Sequence, residues 1–258
     1  MTSQSVPSLS ETIARVRQSA VAILRIREVH RGAKSGANGQ QTGDTTDYSL
    51  SFGSGFCVLA DQYVVTAFHV LNEGAAPDPN DRHYVFTVPD NGEPAYHFPV
   101  TSIPVQHPEL DVAVLEIGPC STPGIHVSAL PVDFRPYEDG QRVLTLGFPA
   151  PEVHGLCMDP DGGFVSGQFF LKSHANEGIV SAHYQVGSLP VYELNVTWHN
   201  GESGGPIVAL GDSPAAFSLM QQYRNVQTPH GIMPGPRRGV PLSTIASDFE
   251  RLGIAVGG

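Results

Sequence analysis

The chain has 258 residues, enough for one large domain or for two small ones sharing a core. Charged residues make up only 15%, and 28 Gly and 22 Pro punctuate a sequence that is 40% hydrophobic; this favours many short strands and turns over a helical bundle. The formal net charge of -11 repels phosphate backbones and anionic lipid heads, so neither nucleic acid nor a membrane surface is expected as a partner.

In chain order, Ser8-Leu9-Ser10-Glu11 fits a capping box, and Leu9, Ile13, Val16 and Ala20 recur at helical spacing. A short amphipathic helix is therefore expected to about Ser19, read as a lid packed on a barrel of strands. Residues 21–29, rich in β-branched side chains, read as the first strand. Residues 31–47 are polar and Gly-rich with no periodicity, which predicts a surface loop. They lack the GxxxxGK[ST] pattern of a phosphate cradle.

From Tyr48 onward the signals are short strands divided by turns. Residues 49–59 and 63–67 flank Ala60-Asp61-Gln62, residues 83–88 and 95–106 flank Asp90-Asn91-Gly92, and residues 112–117 come next. Residues 118–131, with Pro119, Pro123, Gly124 and Pro131, read as a crossover. A second set of strands is expected at 142–146, 164–172, 178–186, 191–196, 206–210 and 216–224. Leu242, Ile245, Phe249 and Leu252 share one face of a closing helix. This pattern predicts an all-β chain of two six-stranded antiparallel β-barrels with short N-terminal and C-terminal helices. Its expected divisions are 1–19, 20–120 and 121–258.

Cys57, Cys120 and Cys157 are widely spaced and odd in number, so they fit neither a disulfide scaffold nor a CxxC site. The residues near the start do not read as a secretory signal, because the apolar run at 20–24 is short and soon meets Arg25 and Arg27. Nothing approaches a membrane span. The expectation is a soluble, cytoplasmic protein that needs no metal and no cofactor: His174 and His183 lack ligand spacing, and no HExxH is present.

The chemistry concentrates in Gly201-Glu202-Ser203-Gly204-Gly205-Pro206. A serine set among glycines on a tight turn exposes its hydroxyl. The backbone N–H groups of Gly201 and Ser203 could then point into one small space able to hold an oxyanion. A serine hydroxyl needs a base, and of 11 histidines His69 stands out because it ends the apolar run at 63–68 and begins a loop. A carboxylate should orient that imidazole, and Asp111 sits just before the apolar residues 112–115. The order His69, Asp111, Ser203 is the chymotrypsin order, and differs from those of subtilisin and the α/β-hydrolases.

Together these segments resemble the trypsin-like (chymotrypsin-fold) serine peptidase family. The likeness rests on Val65-Thr66-Ala67-Phe68-His69, on Leu110-Asp111-Val112-Ala113-Val114-Leu115 and on residues 201–206. Gly53-Ser54-Gly55-Phe56, Gly147-Phe148-Pro149 and Gly178-Ile179-Val180-Ser181 look like the bacterial, HtrA-like branch, here without a PDZ domain. The resemblance covers about residues 20 to 245 and implies barrels of chymotrypsin type. It also implies endopeptidase activity on a peptide or protein substrate through an acyl-enzyme.

By the same resemblance, the primary pocket draws on residues 194–200, on residues 217–220 and on a strand near Gly239-Val240; Thr197, Trp198, Ser218 and Met220 are its candidate lining. Ser218 is further expected to hydrogen-bond behind Asp111. No acid lies in residues 194–200, so the expected preference is for small or apolar side chains and not for Arg or Lys. The chain departs from the digestive branch in having Val70 beside His69 and Glu202 before Ser203, and it has no Ile-Val-Gly-Gly start for zymogen cleavage. The competing readings are a latent relative that binds peptides, an enzyme acting on non-protein esters or amides, and a peptidase whose helix docks a regulatory partner.

Overall fold

The computed structural model describes residues 7–31, 45–72, 78–88, 94–197, 199–221, 225–228 and 231–256. The chain opens with α1 (Leu9–Arg17), whose capping box forms as the sequence predicts. The Ser8 hydroxyl accepts from Glu11 N at 3.2 Å, and Ser8 N donates back to the Glu11 carboxylate at 2.8 Å. Thr12 and Val16 turn inward. The helix touches strands of both halves of the molecule, and Arg17 Nε donates to Ser173 Oγ at 2.9 Å.

Six strands form the first barrel: β1 (Ala20–Arg31), β2 (Thr45–Leu59), β3 (Tyr63–Thr66), β4 (Asp81–Thr87), β5 (Tyr96–His107) and β6 (Val112–Ile117). They close in the order β1-β2-β3-β6-β5-β4. Closure removes the exposed edges that short antiparallel strands would otherwise offer. β1 and β2 run past the expected bounds, pairing as far as Arg31 with Thr45. Most of the predicted 31–47 loop, and the Asn91-Gly92 turn, lie outside the described residues.

The segment between the barrels is extended and packed. Val127 and Leu130 are buried, and Leu130 N donates to Cys57 O at 2.8 Å. The second barrel is built from β7 (Arg142–Gly147), β10 (His174–Val186), β11 (Leu189–Leu194), β12 (Pro206–Ala209), β13 (Ala215–Met220) and β16 (Arg237–Pro241). Their order is β10-β11-β16-β13-β12-β7. The remaining strands pair in two hairpins outside the barrels, β8 (Glu152–Met158) with β9 (Phe164–Phe170) and β14 (Asn225–Thr228) with β15 (Gly231–Pro234). Two antiparallel six-stranded barrels are thus the architecture, as the sequence predicts.

One strand assignment is corrected. The run at 164–172, expected inside the second barrel, forms β9 of the outlying hairpin, with Val165 and Phe170 half exposed. Its barrel place is taken by β16, the strand that the family resemblance puts near Gly239-Val240 and that Pro241 and two arginines hide from the alternation pattern. Phe164 instead packs on the first barrel against Tyr84, Phe86 and His97, and Phe164 N donates to Tyr84 Oη at 2.9 Å. The closing helix begins as a 3-10 turn (Leu242–Ile245) and continues as α3 (Ala246–Arg251). Leu242, Ile245 and Phe249 on its inner face are fully buried. No helix among the described residues is long and apolar enough to cross a membrane.

Candidate active site

His69 lies in α2 (Phe68–Asn72), one turn past the end of β3. β3 is a short apolar strand held between β2 and β6, so the chain leaving it is fixed in direction. Asp111 meets this turn just before β6. Phe68 N donates to Asp111 O at 3.2 Å, and His69 N donates to Asp111 Oδ1 at 2.9 Å. The imidazole Nδ1 lies 2.8 Å from Asp111 Oδ2 and 3.0 Å from Oδ1. A carboxylate oxygen accepts, so the imidazole proton belongs on Nδ1 and Nε2 is left with its lone pair. Asp111 takes a positive φ of 58°, a conformation that costs a residue with a Cβ about 1 kcal/mol. Three bonds hold it there: Leu110 N on His107 O, Asp111 N on Pro108 O, and Gln221 Nε2 on Leu110 O at 3.1 Å.

Ser203 lies on the turn before β12, half buried. Two glycines shape this turn at positive φ, Gly201 at 98° and Gly204 at 87°. A Cβ on Gly204 would come within 2.2 Å of Ser54 O and 2.8 Å of Ala67 N, so only glycine lets the serine turn press against the end of β3, beside His69. Ser54 grips the turn from the first barrel. Its N–H donates to Ser203 O at 2.8 Å, and its hydroxyl donates to Gly201 O at 2.7 Å while accepting from Phe148 N at 2.9 Å. Nothing in the sequence signals this role, because its partners are about a hundred residues or more away.

The serine turn is also held at Asn200. Ala150 N donates to Asn200 O at 3.0 Å. A trans peptide points its C=O and N–H in opposite directions, so fixing the Asn200 carbonyl outward aims the Gly201 N–H the other way. Ala150 makes this bond with a positive φ of 44°. Among the described residues, neither the Gly201 N–H nor the Ser203 N–H is taken up by a protein acceptor. Glu202 points away from solvent, fully buried, with Oε2 accepting from His199 N and its Cβ against Gly147. Burial pushes the Glu202 carboxyl up.

The four pocket candidates fall in different places. Thr197 is exposed and Trp198 lies outside the described residues. Ser218 and Met220 are fully buried; Met220 belongs to the second-barrel core and the Ser218 hydroxyl donates to Val240 O at 2.8 Å. Ser218 therefore does not stand behind Asp111; Gln221 occupies that side of the loop. The cause is a bulge in β13: Ile207 pairs with Ser218 but Val208 with Ala216, so counting along the strand misplaces its end. All three cysteines are free, and burial pushes the Cys57 thiol up to about 12, so it is no rival nucleophile. Among the described residues no three His, Cys, Asp or Glu side chains converge as a metal site would require.

Residues 53–212 match the family model described as a trypsin-like peptidase domain. The chain belongs to that family. The matched span runs from the Gly53-Ser54-Gly55-Phe56 segment through His69 and Asp111 to just past the serine turn of the trypsin-like domain. No curated protein sequence matches the chain. Among solved structures the trypsin-like domain is similar to Deg5, with a TM-score of 0.57, 15% identity, and coverage of 97% of this chain and 99% of that one. At that identity the likeness is one of fold.

Proposed function

We propose that this trypsin-like domain is an active serine endopeptidase working through His69, Asp111 and Ser203. The observation that carries the reading is the seating of the glycine-flanked Ser203 turn on the strand end that delivers His69, with His69 Nδ1 already held by Asp111. In the reaction His69 Nε2 accepts the Ser203 hydroxyl proton as Oγ attacks the substrate carbonyl. Negative charge collects on the carbonyl oxygen, where the Gly201 and Ser203 N–H groups receive it, each donor contributing about 3 kcal/mol. His69 then gives its proton to the leaving amine, and water, activated by the same imidazole, releases the acid and regenerates Ser203. Asp111 keeps the tautomer and stabilises the imidazolium.

The partner on this reading is a peptide or protein substrate, and residues 194–200 offer no carboxylate to a basic side chain. The test is covalent labelling by a fluorophosphonate probe. The native protein should label and Ser203→Ala should not. A folded native protein that stays unlabelled would sink the reading and favour the latent, peptide-binding alternative.

A further inference from the structure

His69 and Asp111 belong to the first barrel and Ser203 to the second, so their mutual placement depends on what crosses between the barrels. Gln221 is one such crossing. It follows β13 directly, and its N–H donates to Arg238 O at 3.0 Å, which extends the β13–β16 ladder by one residue. Met220, just before it, is bonded to the serine turn on both sides. Gly204 N donates to Met220 O at 2.7 Å, and Met220 N donates to Gly205 O at 2.9 Å. The backbone beneath Gln221 is therefore fixed to the residues that follow Ser203. Its side chain reaches out of the second barrel, and Nε2 donates to Leu110 O at 3.1 Å.

That carbonyl is one end of the Leu110–Asp111 peptide. At the other end Asp111 N donates to Pro108 O at 3.3 Å, and Leu110 N reaches His107 O at 3.2 Å. Both local bonds are long for N–H···O contacts. A peptide unit is a rigid plane, so its orientation is set by where its C=O and N–H are held. Asp111 leaves this plane at a φ of 58°, in the left-handed region that a residue with a Cβ avoids. Relaxing that φ turns the loop and the carboxylate against each other about the N–Cα bond. The carboxylate has little room to give, because it meets His69 N at 2.9 Å and Nδ1 at 2.8 and 3.0 Å. Gln221 pins the carbonyl end of the plane and so resists the relaxation.

Resting on the peptidase reading above, we propose that Gln221 is a positioning residue of the reaction, holding the Asp111 carboxylate on His69 in register with the Ser203 turn. It acts through Leu110 on Asp111, and through Met220 on the turn, rather than on the reacting atoms. Base and nucleophile are thereby referred to one short piece of chain. The arrangement is the counterpart of Ser54, where the first barrel holds the turn of the second. At Gln221 the second barrel holds the loop of the first.

The experiment compares the native protein with Gln221→Met, which keeps the length and loses the donor, and Gln221→Lys, which restores a donor. Each is measured for the maximal rate and half-saturating concentration of fluorophosphonate labelling, and for the His69 Nδ1–H proton by NMR. The unfolding midpoint checks the fold, and Gln221→Glu, ionised at pH 8 and without a donor, replaces Gln221→Met if that variant unfolds. Gln221→Met should lower the maximal labelling rate about tenfold, the worth of one hydrogen bond, with the half-saturating concentration unchanged. Its Nδ1–H proton should move upfield as the bond to Asp111 loosens, and Gln221→Lys should recover most of both. A folded Gln221→Met that labels like the native protein, with the proton unmoved, overturns the proposal and leaves the peptidase reading intact. A raised half-saturating concentration with the proton still in place also overturns it, because Gln221 would then only shape the cleft. Native protein that does not label removes the peptidase reading, and this proposal falls with it.

Discussion

Each barrel turns an arginine inward, and the two are handled differently. In the first barrel Arg25 is almost wholly enclosed, with Nη1 3.9 Å from Asp81. Asp81 is itself buried and is gripped by Arg27 through two contacts of 2.6 Å. The cation, its acid and a second cation form a connected set in the wall, and Arg27 reaches on to Asp78 at 3.8 Å. In the second barrel Arg237 stands opposite the core residue Leu194 at the start of β16, half buried, and the acid that feels it, Glu202, is committed to the serine turn. A charge sealed inside a barrel wall should cost the fold more to lose than one left half exposed at a rim.

The largest expected effect comes from breaking the connected set. Asp81→Asn should remove the buried carboxylate that Arg25 and Arg27 share and destabilise the fold by about 3 kcal/mol in urea unfolding. Arg237→Gln should stay within about 1 kcal/mol; equal losses for both would erase the distinction. The connected set should also be acid-sensitive. Burial alone would raise the Asp81 carboxyl, but Arg27 and Arg25 hold it below the usual carboxylate range. Its contribution is present above the unfolded pKa of about 3.9 and is lost as pH falls through the lower folded value.

Next in size is Gly204→Ala, which pushes a methyl into the Ser54 carbonyl and should lower kcat about a hundredfold through misplacement of Ser203. An unchanged kcat would show that the two barrels are less tightly fitted than the contact implies. Glu202→Gln tests the rim. A carboxyl whose folded pKa is raised weakens the fold as pH rises through that value, so the neutral variant should gain about 1 kcal/mol at pH 7 and lose that pH dependence. The smallest effect belongs to the clasp between the loop before Asp111 and α3. His107 Nε2 meets Asp248 Oδ2 at 2.8 Å, and that bond raises the histidine. Its stabilisation is full below pH about 6.5 and fades as pH rises through the folded value. His107→Gln should flatten that slope by under 1 kcal/mol.

Much of the molecule was legible in the sequence. The apolar run at 112–117 ends where the strand does, and the Ser8 cap forms on schedule. His69, Asp111 and the Ser203 turn were readable because each sits at a strand end with local turn chemistry, and the structure gathers the three segments together. What stayed hidden depends on distant partners. β16 was visible only through the family resemblance, near Gly239-Val240, since Pro241 and two arginines deny it any alternation; its place in the barrel comes from β11 and β13. Phe164 reads as a barrel residue until the hairpin carries it across to Tyr84. Ser54, Ala150 and Gln221 act through bonds that span the chain, and the bulge at Phe217 shifts every position counted along β13.

The grip of Ser54 has a bearing on assembly. One residue of the first barrel fixes the Gly201 carbonyl, the Ser203 carbonyl and Phe148 N, so the reactive turn of the second barrel takes its shape only against a completed first one. On the peptidase reading proposed above, a half-folded chain would hold Ser203 without the shape its reaction needs. That reading then implies a safeguard, with activity waiting for both halves to dock.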